Sequence, residues 1–400
     1  MPQSWQVRAS ARAGLERDPA GSRRATLLEL FFDLVFVVAL AQISRNLGLN
    51  VSWLGIAQAV LLLAAIWWVW AITAFVTDLY DPQQVWIQFL MIAVMLGALV
   101  MAATVPHAFG HGGLVFAGAY VGIHLGRGLL LVPILRGRRA QGRAVRIFCW
   151  FTVSTVPWIV GALLPADTLR LAVWALAAAI DYLGFFLGYP VPGRRRLPPE
   201  QFSVTAAHLA ERYQQFFMIA LGDAILVAGL VYSEAPAGIA PAGGLFATFL
   251  STVLLWRVYT HRAGEVLPQA IESAPAARRF IGMAPYTHLL MVAGVVFAAA
   301  AFKQVITEPL ETVGWRTTAL LLGGPVLFLL GRIRFDYEVF ARGSGSRLVA
   351  LGLLVAIVPL TRLLPLVGIA GYVCLVLAGV AAADTLRDRG RRAEPSASAT

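Results

Sequence analysis

Two carboxylates, Glu29 and Asp33, stand four residues apart in the run LLELFFDLVFVVALAQIS (residues 27–44), which is otherwise soluble in lipid. Residues at i and i+4 of a helix lie about 40° apart around its axis, so both acids fall on one face. Two like charges that close in a low dielectric resist simultaneous ionisation, which is one way to build a site that holds a proton at neutral pH. A carboxylate at membrane depth costs about 2.5–3.5 kcal/mol on insertion scales and marks either a functional site or a buried structural pair. Glu29 is near enough to the start of the run to reach the interface, whereas Asp33 lies about 9 Å into it at 1.5 Å per residue.

Other polar side chains interrupt apolar runs further along. His208, Glu211 and Arg212 cluster at one end of a later run, and Asp223 follows twelve residues beyond Glu211. Glu211 and Arg212 are adjacent and so face different partners. Gly222 permits a neighbouring helix to approach Asp223 closely, and Arg127, Arg257 and His288 are the candidate partners of that acid. His124 and Arg127 share a face at i and i+3, and a buried Arg is expected opposite an acid on a neighbouring span. Asp181 is one more acid inside an apolar run. His288 is either a proton shuttle or a hydrogen-bonded core residue. Trp67, Trp68 and Trp70 read as packing and lipid contact, and His107 and His111 as residues of a Gly/Pro-rich loop. There is no Gly-rich phosphate loop, no H-E-x-x-H and no Ser/His/Asp set. No metal or other cofactor is expected, and the two cysteines, Cys149 and Cys374, offer neither a disulfide framework nor a metal cluster.

The elements that must position these residues are membrane helices. The chain of 400 residues is 59 % hydrophobic and 13 % charged, with a mean hydropathy of +0.74, against about 45–50 % apolar and 25 % charged for a soluble domain. Twelve apolar runs fall at about 27–47, 53–76, 85–105, 112–135, 145–164, 168–189, 206–231, 242–261, 280–302, 315–333, 346–364 and 366–386. Each is near the 20 residues that a crossing needs. Pro157, Pro285, Pro325 and Pro359 fall within runs and are expected as kinks. Net charge is +11, with Lys303 the one basic residue that is not Arg. That charge sits in short loops, so it carries topology and does not mark a nucleic-acid partner. With the N-terminus inside, 24 of the 32 basic residues fall on the cytoplasmic side and five outside, which puts both termini in the cytoplasm. The N-terminal segment has no apolar core or cleavage site and reads as a tail.

The expected organisation is a tail (1–26), a first six-helix half (27–189), a Pro- and Arg-rich connector (190–205), a second half (206–386) and a C-terminal tail (387–400). The halves echo each other. Glu29 aligns with Glu211, Phe31 with Tyr213, the Gln88 run with the His288 run, and Asp181 with Asp384. An offset of six spans keeps the orientation, which is a parallel repeat of the kind seen in one class of secondary transporters.

At these residues a family resemblance enters. LELFFDLVFVVALAQIS, followed by HLAERYQQFFMIALGDAILVAG, resembles the bacterial low temperature requirement protein A (LtrA) family over nearly the whole chain. The resemblance implies that Glu29, Phe32 and Asp33 lie on a first motif and Glu211, Arg212, Gly222 and Asp223 on a second. It also implies that Arg127, Asp181 and His288 occupy polar family positions. One departure is Leu221-Gly222-Asp223 where the family usually has L-G-E. The family name records growth in the cold and specifies no biochemistry. The expected function is therefore a secondary transporter, or an ion- or proton-translocating protein, acting on an unidentified small solute or ion. Its pathway would be built from Glu29, Asp33, His124, Arg127, Asp181, Glu211, Arg212, Asp223 and His288. The alternatives are a structural or sensory membrane protein, and an intramembrane enzyme on a lipid-soluble substrate. Membrane lipid is the one partner that composition implies; oligomeric state is open.

Overall fold

In a computed structural model, the protein is all-helical among its described residues, which are 15, 17, 24–49, 51–165, 167–193, 206–261, 274–312, 314–340 and 343–393. Most of the N-terminal tail, the connector with Arg194, Arg195 and Arg196, and Arg262 and Arg342 lie outside them. The helices are α1 (Leu27–Leu49), α2 (Trp53–Leu79), α3 (Val85–Thr104), α4 (Gly113–Ile134), α5 (Ala140–Leu163) and α6 (Asp167–Phe186). They continue as α7 (Ala206–Glu234), α8 (Ile239–Thr260), α9 (Ala274–Thr307), α10 (Trp315–Phe340), α11 (Gly345–Ala356) and α12 (Leu366–Ala393). Twelve segments are long and apolar enough to cross a membrane, as the hydropathy pattern leads one to expect. The protein is a polytopic helical membrane protein.

Three of the four prolines sit inside continuous helices: Pro157 in α5, Pro285 in α9 and Pro325 in α10. Pro359 is different. The α-helix of the eleventh span stops at Ala356 and the crossing finishes as a 3₁₀ turn, Val358–Arg362, with the proline in its first turn. This corrects the kink expected there, because a proline can neither donate the helical bond nor avoid the carbonyl one turn back.

The chain divides into two compact units. The first holds residues up to Asn46 and Trp53–Phe216; the second holds Leu47–Ser52 and Phe217–Thr400. Within the first unit α2 is the central element, buried along nearly its whole crossing and packed on α3, α4 and α6. Trp67, Trp68 and Trp70 are each 1 % exposed or less, so the lipid contact expected of them is not made. In the second unit α9 and α10 are the most extensively packed pair, and an added Cβ at Gly294 would fall 2.6 Å from the Gly324 carbonyl oxygen. Glycine there lets the two backbones touch. The packed pairs of the first unit recur in the second at an offset of six: α2 with α3, α4 and α6 becomes α8 with α9, α10 and α12. Likewise α3–α4, α4–α5 and α5–α6 become α9–α10, α10–α11 and α11–α12.

Candidate functional site

The acids of α1 meet the bases of α7. Glu29 and Asp33 are one helical repeat apart, and so are His208 and Arg212, so each helix presents a two-residue face to the other. Arg212 takes Asp33 with both prongs, Nη1 donating to Oδ2 at 3.0 Å and Nη2 to Oδ1 at 2.8 Å. Trp70 of α2 donates its indole N–H to the same Oδ1 at 2.8 Å. The fork geometry suits an ionised carboxylate and leaves neither of its oxygens unmet. Around the pair stand Phe36, Trp67, Trp70, Tyr213 and Phe216, with ring centroids 4.4–6.0 Å apart. Asp33 and Arg212 are completely buried, so their attraction is not screened by water.

One turn away lies the second rung. His208 places Nδ1 2.8 Å from an Asp78 oxygen and Nε2 3.4 Å from Glu29 Oε1. Glu29 Oε1 also faces the Arg17 guanidinium at 3.5 Å. Arg17 is held there because its backbone N–H donates to the Leu79 carbonyl at 3.1 Å, at the end of α2. The other Glu29 oxygen has a local task. It accepts the Thr26 backbone N–H at 2.8 Å, while Thr26 Oγ1 accepts the Glu29 N–H at 3.3 Å. This is a capping box that closes the first turn of α1. His208 thus has a hydrogen bond to Asp78 at Nδ1, while Nε2 faces Glu29 Oε1 at ion-pair range without a hydrogen bond.

The remaining expected site residues divide among other places. In the first unit Asp181 of α6 accepts the Tyr120 hydroxyl at 2.7 Å and the Trp158 N–H at 3.2 Å. Tyr120 packs on His124, centroid to centroid 4.5 Å, and His124 Nδ1 lies 3.2 Å from Arg127 Nη1. Arg127 Nη2 donates to Thr73 of α2 at 2.7 Å. The expectation that Arg127 opposes an acid is not met: among the described residues, its hydrogen-bond partners are Thr73 and His124 alone. The cation that faces α1 comes from α7. Glu211, half-buried, accepts from Gln215 at 3.1 Å and from the Ala25 N–H at 3.4 Å, turned away from Arg212's partner as adjacency requires. Asp223 is buried in the second unit. So is His288, whose Nδ1 meets the Ala284 carbonyl at 3.0 Å and whose Nε2 meets the Tyr259 hydroxyl at 3.3 Å, the hydrogen-bonded core arrangement.

Sequence reading passed over Arg17, Trp70 and Asp78 as site residues and left His208 without a role. It also placed Arg332 and Arg347 in loops. They are buried in the second unit, where Arg347 bridges Asp336 (3.1 Å) and Asp384 (3.0 Å) and Arg332 meets Asp336 at 3.0 Å. Among the described residues no group of three or more His, Cys, Asp or Glu side chains is arranged to hold a metal ion.

Residues 24–382 match the family model described as bacterial low temperature requirement A protein (LtrA). An uncharacterised protein of Rhizobium meliloti (strain 1021) is 36 % identical over 325 residues, covering 79 % of this chain and 78 % of that protein. No solved structure matches the chain. The two rungs of α1 and α7 thus belong to a chain matched along nearly its whole length by one family model, and the protein is a member of the bacterial low temperature requirement A family.

Proposed function

We propose that the protein translocates protons, or a small solute coupled to them, with Glu29, Asp33, Asp78, His208 and Arg212 as the groups that hold and release charge. The observation that carries this reading is the pairing of two acids on α1 with two bases on α7, rung for rung, within spans and away from water. Ionisable residues at that depth are costly and are by default functional. Neutralising Asp33 would break the ion pair that holds Arg212, and neutralising Glu29 would leave His208 held by Asp78 alone, so proton arrival on α1 loosens its hold on α7. Two further features fit a carrier. The packed pairs of α2–α6 recur in α8–α12, which supports six-helix halves at 27–189 and 206–386 in parallel repeat. The excess of arginine in alternate loops supports cytoplasmic termini in the inner membrane.

A structural lock is the second reading. It is favoured by the Glu29 capping box and by the full complement of bonds on Asp33, which describe a closed, dry arrangement. Reconstitution in liposomes with an internal pH dye separates the two. Proton movement under an imposed gradient, lost in Asp33→Asn and kept in a surface control such as Arg334→Gln, supports translocation. Wild-type liposomes no more permeable to protons than empty ones, with a range of solutes present, would leave the lock.

A further inference from the structure

The face of α4 that carries Gly118, Gly122 and Gly126 has no protein neighbour: a Cβ added to any of the three meets nothing within 4 Å. These glycines line an apolar groove of about 850 Å³ between α3 and α4. The helices approach closely at Gly97, where an added Cβ would come within 2.6 Å of the Ile123 side chain, and the groove opens beside that contact. Phe89, Leu96 and Leu129 line it and are each more than half exposed. Taken alone, a small-residue stripe would accept a lipid chain or another helix.

Arg127 decides between them. It too lines the groove, is 3 % exposed, and its Nε has no hydrogen-bond partner. Its two Nη atoms bond to Thr73 and His124, which bring no negative charge. A cation at this depth calls for an anion. A helix laid on the glycine stripe would seal Arg127 under more apolar surface, whereas an acidic lipid leaves the groove filled by an acyl chain and adds negative charge at the end of the same helix. The neighbouring turn is built for the same chemistry. α4 ends at Ile134, about 10 Å past Arg127 at 1.5 Å per residue, and the chain leaves through Arg136, Arg138 and Arg139, with Arg136 and Arg139 exposed. Clustered arginines at the end of an interhelical groove are the pattern that holds acidic headgroups.

We infer that the α3–α4 groove binds an anionic phospholipid. One acyl chain lies along Gly118, Gly122 and Gly126. The phosphate is held by Arg136 and Arg139, with the charge of Arg127 beneath it. This site uses none of the rung residues and stands whether or not the protein moves protons.

Native mass spectrometry of the full-length protein in mild detergent tests it, with phosphatidylglycerol and phosphatidylcholine of identical acyl chains and palmitate as a free acid. Phosphatidylglycerol is expected to be retained about tenfold more tightly than phosphatidylcholine. Gly122→Leu, placed where an added side chain meets open space, should fold normally and erase that preference. Arg136→Gln with Arg139→Gln should reduce it and leave binding of the neutral lipid as it was. Equal retention of the two lipids by the wild type, or an undiminished preference in Gly122→Leu, overturns the inference. So does palmitate binding in place of the phospholipid, or a wild-type dimer that Gly122→Leu converts to monomer, which would assign the groove to a free acid or to a second copy.

Discussion

Arg212 and Asp33, 179 positions apart in the chain, form a two-pronged ion pair at 2.8 and 3.0 Å with neither side chain exposed. The pair ties α7 to α1 inside the first unit. It sits among aromatic rings, and a third donor from Trp70 completes the carboxylate. A lone charge left in such a place is far more costly than the intact pair.

The consequence for mutation is asymmetric. Asp33→Asn strands the Arg212 guanidinium and is expected to cost about 3–5 kcal/mol, as breaking a buried pair does. Replacing both, Asp33→Leu with Arg212→Met, removes the charge and its partner together and should recover at least half of that loss. Thermal melting of the purified protein, followed by size-exclusion fluorescence, reads the difference. A double variant as unstable as Asp33→Asn would mean that shape, not charge, dominates here.

Trp70→Phe isolates the third donor. The ring stays and packs on Phe216 and Tyr213, but the N–H is lost, and a hydrogen bond to a charged group is worth about 1.5–3 kcal/mol. The variant should melt earlier than wild type by that margin, and Trp68→Phe, which keeps an aromatic ring on Tyr182 where the indole now stacks at 4.0 Å, should shift less. Equal shifts for the two would show that the indole matters as bulk.

Much of this fold was legible because a lipid-soluble run of about twenty residues has few other uses. The acids on α1 were legible too, since i, i+4 spacing fixes a shared face regardless of surroundings. Their partners were not. Helical periodicity says which way Asp33 points but not that a residue 179 positions away is there to meet it. Asp78 fell just past the expected end of its span, and Trp70 looked like bulk because an indole N–H has no pattern that separates a donor from a packed ring. Arg332 and Arg347 were read as loop charges for the same reason: α10 runs on to Phe340 because its charged end is neutralised by neighbours that a hydropathy window cannot see. One signal was present and overlooked. Thr26-x-x-Glu29 is the spacing of a capping box and stands directly before the first apolar run.

The second unit supplies an independent comparison of buried and exposed ion pairs. Arg347→Leu leaves Asp336 and Asp384 without the guanidinium that bridges them and should destabilise by about 3–5 kcal/mol. Arg334 pairs with Glu338 on the same helix but is half exposed. Arg334→Leu should therefore change stability by less than about 1 kcal/mol. Similar melting shifts for the two would contradict the burial of the Arg347 cluster.

Topology is open to a direct check. Single cysteines placed in the 136–139 turn and in the 235–238 turn, on a background with Cys149 and Cys374 replaced by Ser, should label from opposite sides of the membrane. The arginine distribution predicts the first inside and the second outside. Labelling of the 136–139 turn by an impermeant reagent in intact cells would reverse the orientation.

Glu29 offers the sharpest separation of its structural task from a proton-handling one, because its two oxygens do different things. Oε2 closes the capping box with Thr26, and Oε1 faces His208 and Arg17. Thr26→Ala removes only the cap's hydroxyl and should cost about 0.5–2 kcal/mol of stability with proton movement intact. Glu29→Gln keeps a side-chain oxygen for the Thr26 N–H, so its cap is largely preserved, but it removes the charge that His208 answers. If the rung handles protons, Glu29→Gln should abolish dye-reported flux while Thr26→Ala keeps it. If Glu29 only closes the helix, the two variants should differ in stability and in nothing else, and flux should persist in both. Because the two substitutions act on opposite oxygens of one carboxylate, a shared loss of stability cannot imitate a selective loss of flux.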